Sequence, residues 1–336
     1  MKEIDKLAKY INMNETPMSW KIAYDYIRNK IPEKVEWLEK ENGLAILEYY
    51  QINDEKFRMQ YFQTIDMINQ DRHLKTICYL WYYILFIDQT GLYKDVWRWK
   101  ENEQLYRYAG NEILPAVVML GGWQLHQNMM KKKNYDEIQI EEQKRNIRQC
   151  CLKDRQQFHI EGIRFSQMVW GAYFMRGLLI QVGRLQYEYP SQPPRILKEH
   201  LWDFNNSHYV AIHIPAGTKL EEKEVSKSLI DIKKELKRIN PDIEIEAVKY
   251  YTYTWLLCNE LDDILTKESN ILKFKNRFDI ILQTENIRDF LHFVFQENRR
   301  VDYHELREDT ILQKRLKEEL LKRTKLHIGL GVLKEN

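Results

Sequence analysis

From Ile4 to about Val182 the apolar residues recur mostly at intervals of three and four, as in Val35 and Leu38, Leu44 to Tyr49, and Ile77, Leu80, Tyr83 and Ile84. Such spacing gathers side chains on one flank of an α-helix and predicts an all-helical first half. Pro17, Pro32 and Pro115, with Gly43, Gly91 and Gly110, interrupt the pattern where helices would end or open, which predicts roughly six to eight of them. Residues 131–156 are polar and charge-rich and read as a connection. Phe158 to Ile180 turns aromatic and apolar again and reads as a bridging helix.

After residue 183 the period changes to two. Arg184-Leu-Gln-Tyr-Glu-Tyr alternates, and Pro190, Pro193 and Pro194 close that segment. Strands are expected at His208–Ile214, Ile243–Leu257, Phe278–Gln283, Leu291–Phe295 and Leu326–Leu333, and helices at Glu221–Ile239 and Thr310–Arg323. The chain thus reads as an α+β protein: a helical domain over 1–175 followed by a mixed α/β domain over 176–334. Its 336 residues exceed what one core usually serves, which agrees with two domains.

Composition narrows the partners. Lys plus Arg exceed Asp plus Glu by only 52 to 50, so no net field draws the chain to nucleic acid or to an acidic membrane. The start alternates charges instead of building the apolar core of an export signal. The longest apolar stretch, Ile77 to Ile87, covers roughly half of the ~20 residues needed to span a bilayer. Cys78, Cys150, Cys151 and Cys258 show no C-x-x-C spacing, which fits reduced thiols and a cytoplasmic location.

P-loop, dinucleotide, hydrolase-elbow and zincin patterns are all absent. His159-Ile-Glu161 matches the first half of a zinc-deaminase signature, but no P-C-x-x-C comes after it, so no metal is expected. Lys131 to Lys133 beside Tyr135 read as a solvated helix end, and Trp81, Tyr82 and Tyr83 as core.

Several segments of the second half occur in a characteristic order: Gly183-Arg-Leu-Gln-Tyr-Glu188; Ile212-His-Ile-Pro215 with Gly217; Trp255-Leu-Leu257; Ser269-Asn-Ile271 followed by Phe274 and Arg277-Phe278; and Phe293-Val-Phe295. This succession resembles a family of bacterial acyltransferase-domain proteins with a helical N-acyltransferase N-terminal domain and a GNAT-like C-terminal domain. The position before Trp255 is Thr254 where that family leads one to expect Ser, and His327-Ile-Gly-Leu-Gly331 matches its ending only loosely.

The resemblance implies acetyl-CoA or another acyl-CoA as donor and an amine-bearing small molecule or peptide as acceptor, with direct attack of the neutral amine on the thioester. The coenzyme's pyrophosphate needs backbone N–H groups where a loop enters a helix, and Pro215, Ala216, Gly217 and Thr218 precede the helix expected from Glu221. The usual Gly-rich signature of that loop is missing, and Arg277 is a further candidate for pairing with a carboxylate or phosphate. For the amine's proton the candidates are His213, because imidazole titrates near neutrality, and Glu188 at a strand end. Tyr251 and Tyr253 could protonate the departing thiolate, and Tyr253 is preferred.

Cys258 could carry an acyl group, but no His is placed in sequence to activate it, so an inert buried thiol is expected. Two other readings stay open. One is a non-catalytic binding or regulatory module on the same architecture. The other takes the acyl group from an acidic carrier protein, for which Lys219, Lys223, Lys227, Lys233, Lys234 and Lys237 supply a basic surface balanced by Glu221, Glu222 and Glu224.

Overall fold

A computed structural model of the chain describes residues 3–10, 15–29, 32, 34–88, 113–158, 162–191, 208–297 and 301–334. The chain divides into two compact units, Met1–Gly177 and Leu178–Asn336.

The first unit is helical throughout its described residues: α1 (Glu3–Tyr10), α2 (Met18–Ile27), α3 (Lys40–Tyr49), α4 (Glu55–Gln70), α5 (Arg72–Tyr82), α6 (Leu114–Leu120), α7 (Trp123–Lys132), α8 (Glu137–Phe158) and α9 (Phe165–Met175). The stretch expected to be buried is α5 with one wider turn over Tyr83–Ile87, and Trp81, Ile84, Leu85 and Phe86 lie in the core. Asp54 and Asp71 cap α4 and α5 through their side chains, as an Asp before an apolar run should. Among the described residues no helix is long and apolar enough to cross a membrane.

Three expectations in this half need correction. The connection over 131–156 is largely α8, whose inward residues are Gln143, Asn146, Ile147, Cys150 and Cys151. A helix that buries amides and thiols does not show the aliphatic period by which helices are recognised. Gly43 lies inside α3 and ends nothing; a Cβ there would sit 3.1 Å from Ile65 and 3.2 Å from Phe62, so its bareness lets α3 approach α4. The bridging helix stops at Met175, because Gly177 adopts a left-handed φ of +67° and turns the chain into a strand at Leu179. His159-Ile-Glu161 falls outside the described residues.

Among its described residues the second unit is built on six strands, β1 (Leu179–Val182), β2 (Leu185–Glu188), β3 (His208–His213), β4 (Val248–Thr254), β5 (Phe278–Glu285) and β6 (His327–Leu333), in the order β1-β2-β3-β4-β6-β5. Every neighbouring pair is antiparallel except β3 and β4. A parallel return cannot be made by a tight turn. It is made here by α10 (Glu222–Ile239), which lays Val225, Leu229, Ile232 and Leu236 on the sheet face formed by Leu185, Tyr187, Val210, Ile212, Val248 and Tyr250. The short helices α11 (Leu261–Ile264) and α12 (Asn270–Lys275), with α13 (Ile287–Phe293) and α14 (Ile311–Leu321), complete the unit.

Ser269 caps α12, and Thr310 with Gln313 forms a reciprocal capping box on α14. The strand expected over Leu291–Phe295 is instead the end of α13 and the turn after it. Asn286 caps that helix, and Phe290, Val294 and Phe295 are the residues delivered to the core, a spacing the run Leu-His-Phe-Val-Phe conceals. The long strand expected over Ile243–Leu257 is shortened to β4 by single 3₁₀ turns at Ile245–Ala247 and Trp255–Leu257.

Inside the helical unit, His126 on α7 is fully buried and shares a 2.9 Å hydrogen bond with the Tyr50 hydroxyl. Burial, with the Lys144 charge adding to it, pushes the imidazole down to about 3. The unfolded chain therefore binds a proton near pH 6.5 that the folded chain refuses, and stability falls as pH drops from 6.5 toward 3. Between pH 6.5 and 5 this histidine alone removes about 2 kcal/mol. Urea titrations at the two pH values should show a smaller fall for His126→Gln than for the parent chain. Equal falls would show that His126 does not set the acid sensitivity.

Candidate active site

The two faces of β3 are used differently. Val210 and Ile212 point to α10, whereas Tyr209, Ala211 and His213 alternate onto the opposite face with Tyr251, Tyr253, Leu330 and Val332 of the neighbouring strands. On that second face β2 contributes Gln186 and Glu188, since its Leu185 and Tyr187 face α10. One side of the sheet is ordinary core; the other carries imidazole, carboxylate and phenol groups.

His213 and Glu188 meet there. The β2–β3 register sets Gln186 opposite His213 and Glu188 opposite Ala211, so the two side chains are diagonal neighbours, and His213 Nε2 lies 3.1 Å from Glu188 Oε2. Both are partly exposed, at 31% and 20% of their side-chain surface. A carboxylate on one ring nitrogen fixes the ring's orientation and decides which nitrogen of the neutral imidazole holds the proton.

Next to this pair the sheet divides. The parallel pairing of β3 and β4 runs from His208 opposite Val248 to Ala211 opposite Tyr251. Beyond it, β3 continues to His213 against β2, and β4 continues to Thr254 against β6. At the point of division the Thr252 hydroxyl donates to the Ile212 carbonyl at 2.8 Å, a side chain taking the acceptor from strand to strand. Continuing the register by two residues would set Tyr253 opposite His213, so these two are the first same-face pair beyond the end of the ladder. Carboxyl ends of parallel strands, where neighbours diverge, are the usual place for a ligand in an open sheet.

The loop that leaves β3 starts directly after His213. Thr218 N–H donates to the Pro215 carbonyl at 3.1 Å, and Gly217 has φ +78° at the third position, the geometry of a type II turn. A Cβ on Gly217 would meet nothing within 4 Å, so the glycine answers to backbone conformation and not to crowding. The loop enters α10, where the N-cap residue Glu221 makes no side-chain cap bond. Pro215, Ala216, Gly217 and Thr218 are therefore contiguous with the strand end that bears His213. Arg277 reaches α10 one turn further along, where its Nη2 donates to Ser226 Oγ at 2.8 Å and to the Glu222 carbonyl at 3.4 Å.

Sequence reasoning missed three participants, Ser191, Glu260 and His327, which are joined by the long-range contacts of Ser191 with Tyr251 and of His327 with Glu260. Ser191 shares a 2.7 Å hydrogen bond with the Tyr251 hydroxyl; burial raises that phenol, the serine partly offsets the shift, and the Glu188 charge adds to it. Tyr251 is thus a fixed wall, while Tyr253 is half-buried. The other two stand around Cys258. Its Sγ donates to Glu260 Oε2 at 2.8 Å, and the other oxygen of Glu260 takes His327 Nδ1 at 2.7 Å. A histidine does come near this cysteine, but the carboxylate stands between them. Among the described residues no group of three or more His, Cys, Asp and Glu side chains could hold a metal ion.

Residues 179–333 match the family model described as a GNAT-like C-terminal domain. No curated protein matches the chain in sequence. Among solved structures it is similar to an acyltransferase in complex with decanoyl-CoA, at a TM-score of 0.71 and 16% identity over 100% of each chain. A second is an acyltransferase in complex with decanoyl-CoA and teicoplanin, at 0.74 and 16% over 99% of each. A third is an acyltransferase mutant in complex with octanoyl-CoA, at 0.75 and 16% over 100% of each. At such identity the likeness shows a shared fold, and it spans both units.

Burial, with the hydrogen bond to Glu260, pushes the Cys258 thiol up to about 12. Against the penalty of burial, hydrogen bonds from Cys258, from its own backbone and from His327 hold the Glu260 carboxyl below its ordinary value. The thiolate is therefore scarce at neutral pH, and Cys258 is unsuited to nucleophilic attack. Mass spectrometry after iodoacetamide treatment of the native protein should find Cys258 unmodified, and Cys258→Ser should leave any acyl transfer within about twofold. Rapid alkylation at pH 7 would reverse the assignment.

Proposed function

We propose that this chain, whose residues 179–333 carry the GNAT-like C-terminal domain, is an N-acyltransferase that moves an acyl group from acyl-CoA to the amine of a small molecule or peptide. The carrying observation is the parting of β3 from β4 between His213 and Tyr253, directly succeeded by the Pro215–Thr218 turn into an uncapped helix. Known acyltransferases of the same fold bind decanoyl-CoA and octanoyl-CoA, and one holds teicoplanin as well; these support an acyl-CoA donor and a bulky acceptor.

In this reading the pyrophosphate rests on backbone N–H groups of the turn and of the first turn of α10, at the positive end of the helix dipole. The pantetheine arm enters the parting and brings its thioester to the face that bears His213. The acceptor amine attacks the thioester carbonyl; a C–N bond forms and a tetrahedral oxyanion develops. His213 takes the proton released from nitrogen, with Glu188 holding the ring and stabilising the imidazolium that forms. Collapse of the intermediate breaks the C–S bond, Tyr253 gives its phenolic proton to the thiolate, and the proton held on His213 passes to the phenoxide, directly or through solvent, to restore both groups. Glu188 is a positioning residue here, because it reaches the reacting atoms only through His213.

Isothermal titration of acetyl-CoA and octanoyl-CoA, paired with a thiol-release assay over a panel of primary amines, tests this directly. Micromolar binding is expected, with His213→Ala lowering transfer by about 10²- to 10⁴-fold while affinity stays within about threefold. Gly217→Ala forces a side chain onto a left-handed backbone, which costs about 1–2 kcal/mol locally, so acyl-CoA binding should weaken about tenfold with the fold intact. Folded protein that binds no acyl-CoA, or a His213→Ala variant of undiminished rate, would reject the assignment.

A further inference from the structure

The outward flank of α10 is not an ordinary solvated helix face. Its carboxylates are already engaged: Glu221 and Glu224 lie 3.8 Å from Arg184, Glu222 lies 3.4 Å from Lys273, Asp231 pairs with Lys234 at 3.0 Å, and Glu235 pairs with Arg238. Lys219, Lys223, Lys227 and Lys233 have no carboxylate partner among the described residues, and all four are exposed. Lys223 and Lys227 are spaced by four on the helix, about one turn or ~5.4 Å apart, and Lys219 precedes them in the loop after Thr218.

The outward surface of the same helix, open to solvent, is formed by Glu222, Lys223, Ser226, Lys227, Ile230, Asp231 and Lys234. Ile230 is 57% exposed at its centre, a large apolar side chain turned outward from a helix whose other aliphatic residues are packed on the sheet. An apolar residue within a rim of charge is the makeup of a modest protein–protein contact. Nucleic acid fits less well: the row is one helix wide, and the whole chain carries a net charge of only +2.

We propose that this flank docks an acidic carrier protein, whose phosphopantetheine arm passes the Pro215–Thr218 turn and delivers an acyl thioester to the same opening between β3 and β4. The inference rests on the acyltransferase reading. What it adds is a second donor source, chosen by charge complementarity along Lys219, Lys223, Lys227 and Lys233 and by an apolar anchor at Ile230. The chemistry is unchanged: the amine forms the C–N bond, the C–S bond breaks, and the thiol remains on the carrier. The contact is transient, since loading and release must alternate, and its rate of formation depends on ionic strength.

The test compares an octanoyl-loaded acidic acyl carrier protein, the same carrier without its arm, and octanoyl-CoA, each titrated against the full chain and a Lys227→Glu/Lys233→Glu variant. A Lys227→Arg/Lys233→Arg variant and a circular-dichroism melt control for folding. Expected is micromolar binding of the loaded carrier that weakens at least tenfold in the Glu variant, survives in the Arg variant and falls with added salt. Octanoyl-CoA affinity should stay within about threefold throughout. Octanoyl-CoA binding without carrier binding would overturn the docking surface and leave the acyltransferase reading intact. An equal loss of both ligands in the Glu variant would overturn it too, by assigning the lysines to the coenzyme's nucleotide. Carrier binding without coenzyme binding would uphold the surface and remove the free coenzyme as donor, whereas failure of both would remove both proposals.

Discussion

The parallel pairing of β3 with β4 is the constraint on which the rest of the second unit depends. Two strands that run the same way must be joined by a long crossover, and α10 supplies it. Because the crossover begins where β3 ends, the loop, the uncapped start of the helix and the last residue of the strand come together at one end of the sheet. Because each strand has a different outer neighbour, β2 on one side and β6 on the other, the two can separate after Ala211 and Tyr251 without losing the order of the sheet. The Thr252 hydroxyl on the Ile212 carbonyl occupies the first acceptor this separation leaves behind. An opening lined by chemistry-bearing side chains is therefore a consequence of topology.

Much of this was legible in the amino-acid sequence, for reasons that differ by element. β3 and α10 show clean periods, because each packs one face on a common core: Val210 and Ile212 from the strand, Val225, Leu229, Ile232 and Leu236 from the helix. Alternation placed His213 with Tyr209 and Ala211, and the structure keeps them on one face. Glu188 and His213 could each be singled out, but their 3.1 Å approach could not, because it depends on the register between two strands that are separated by residues 189–207. The same holds for Ser191 on Tyr251 and for Glu260 between Cys258 and His327. Two patterns mislead: a short apolar run, as at Leu291–Phe295, where a helix end and a strand look alike, and a helix that buries polar groups. α8 turns Gln143 and Asn146 inward and so carries a linker's composition in a helix's position.

The helical unit shows the opposite use of buried polarity. Tyr50, Tyr61, His126 and Cys151 are all withdrawn from solvent, and each is kept in its neutral form by burial. A core of this kind couples packing to protonation, since burial opposes charging any one member. In the second unit Tyr251 and Cys258 are likewise withdrawn from solvent, whereas His213 and Glu188 are partly open to it, as the proton transfer proposed for them requires.

The alternation along β3 carries one last implication. Six residues, His208–His213, divide into a set that holds α10 and a set on the opposite face that ends in His213, and nothing but their parity decides which is which. Loss or gain of a single residue upstream in that strand would exchange the two sets, turning the imidazole into the aliphatic core and an isoleucine into the cleft. A change of one residue in the length of β3 is therefore opposed by both faces at once, so the count of residues between Tyr209 and Pro215 is a constraint in its own right, beside their identities.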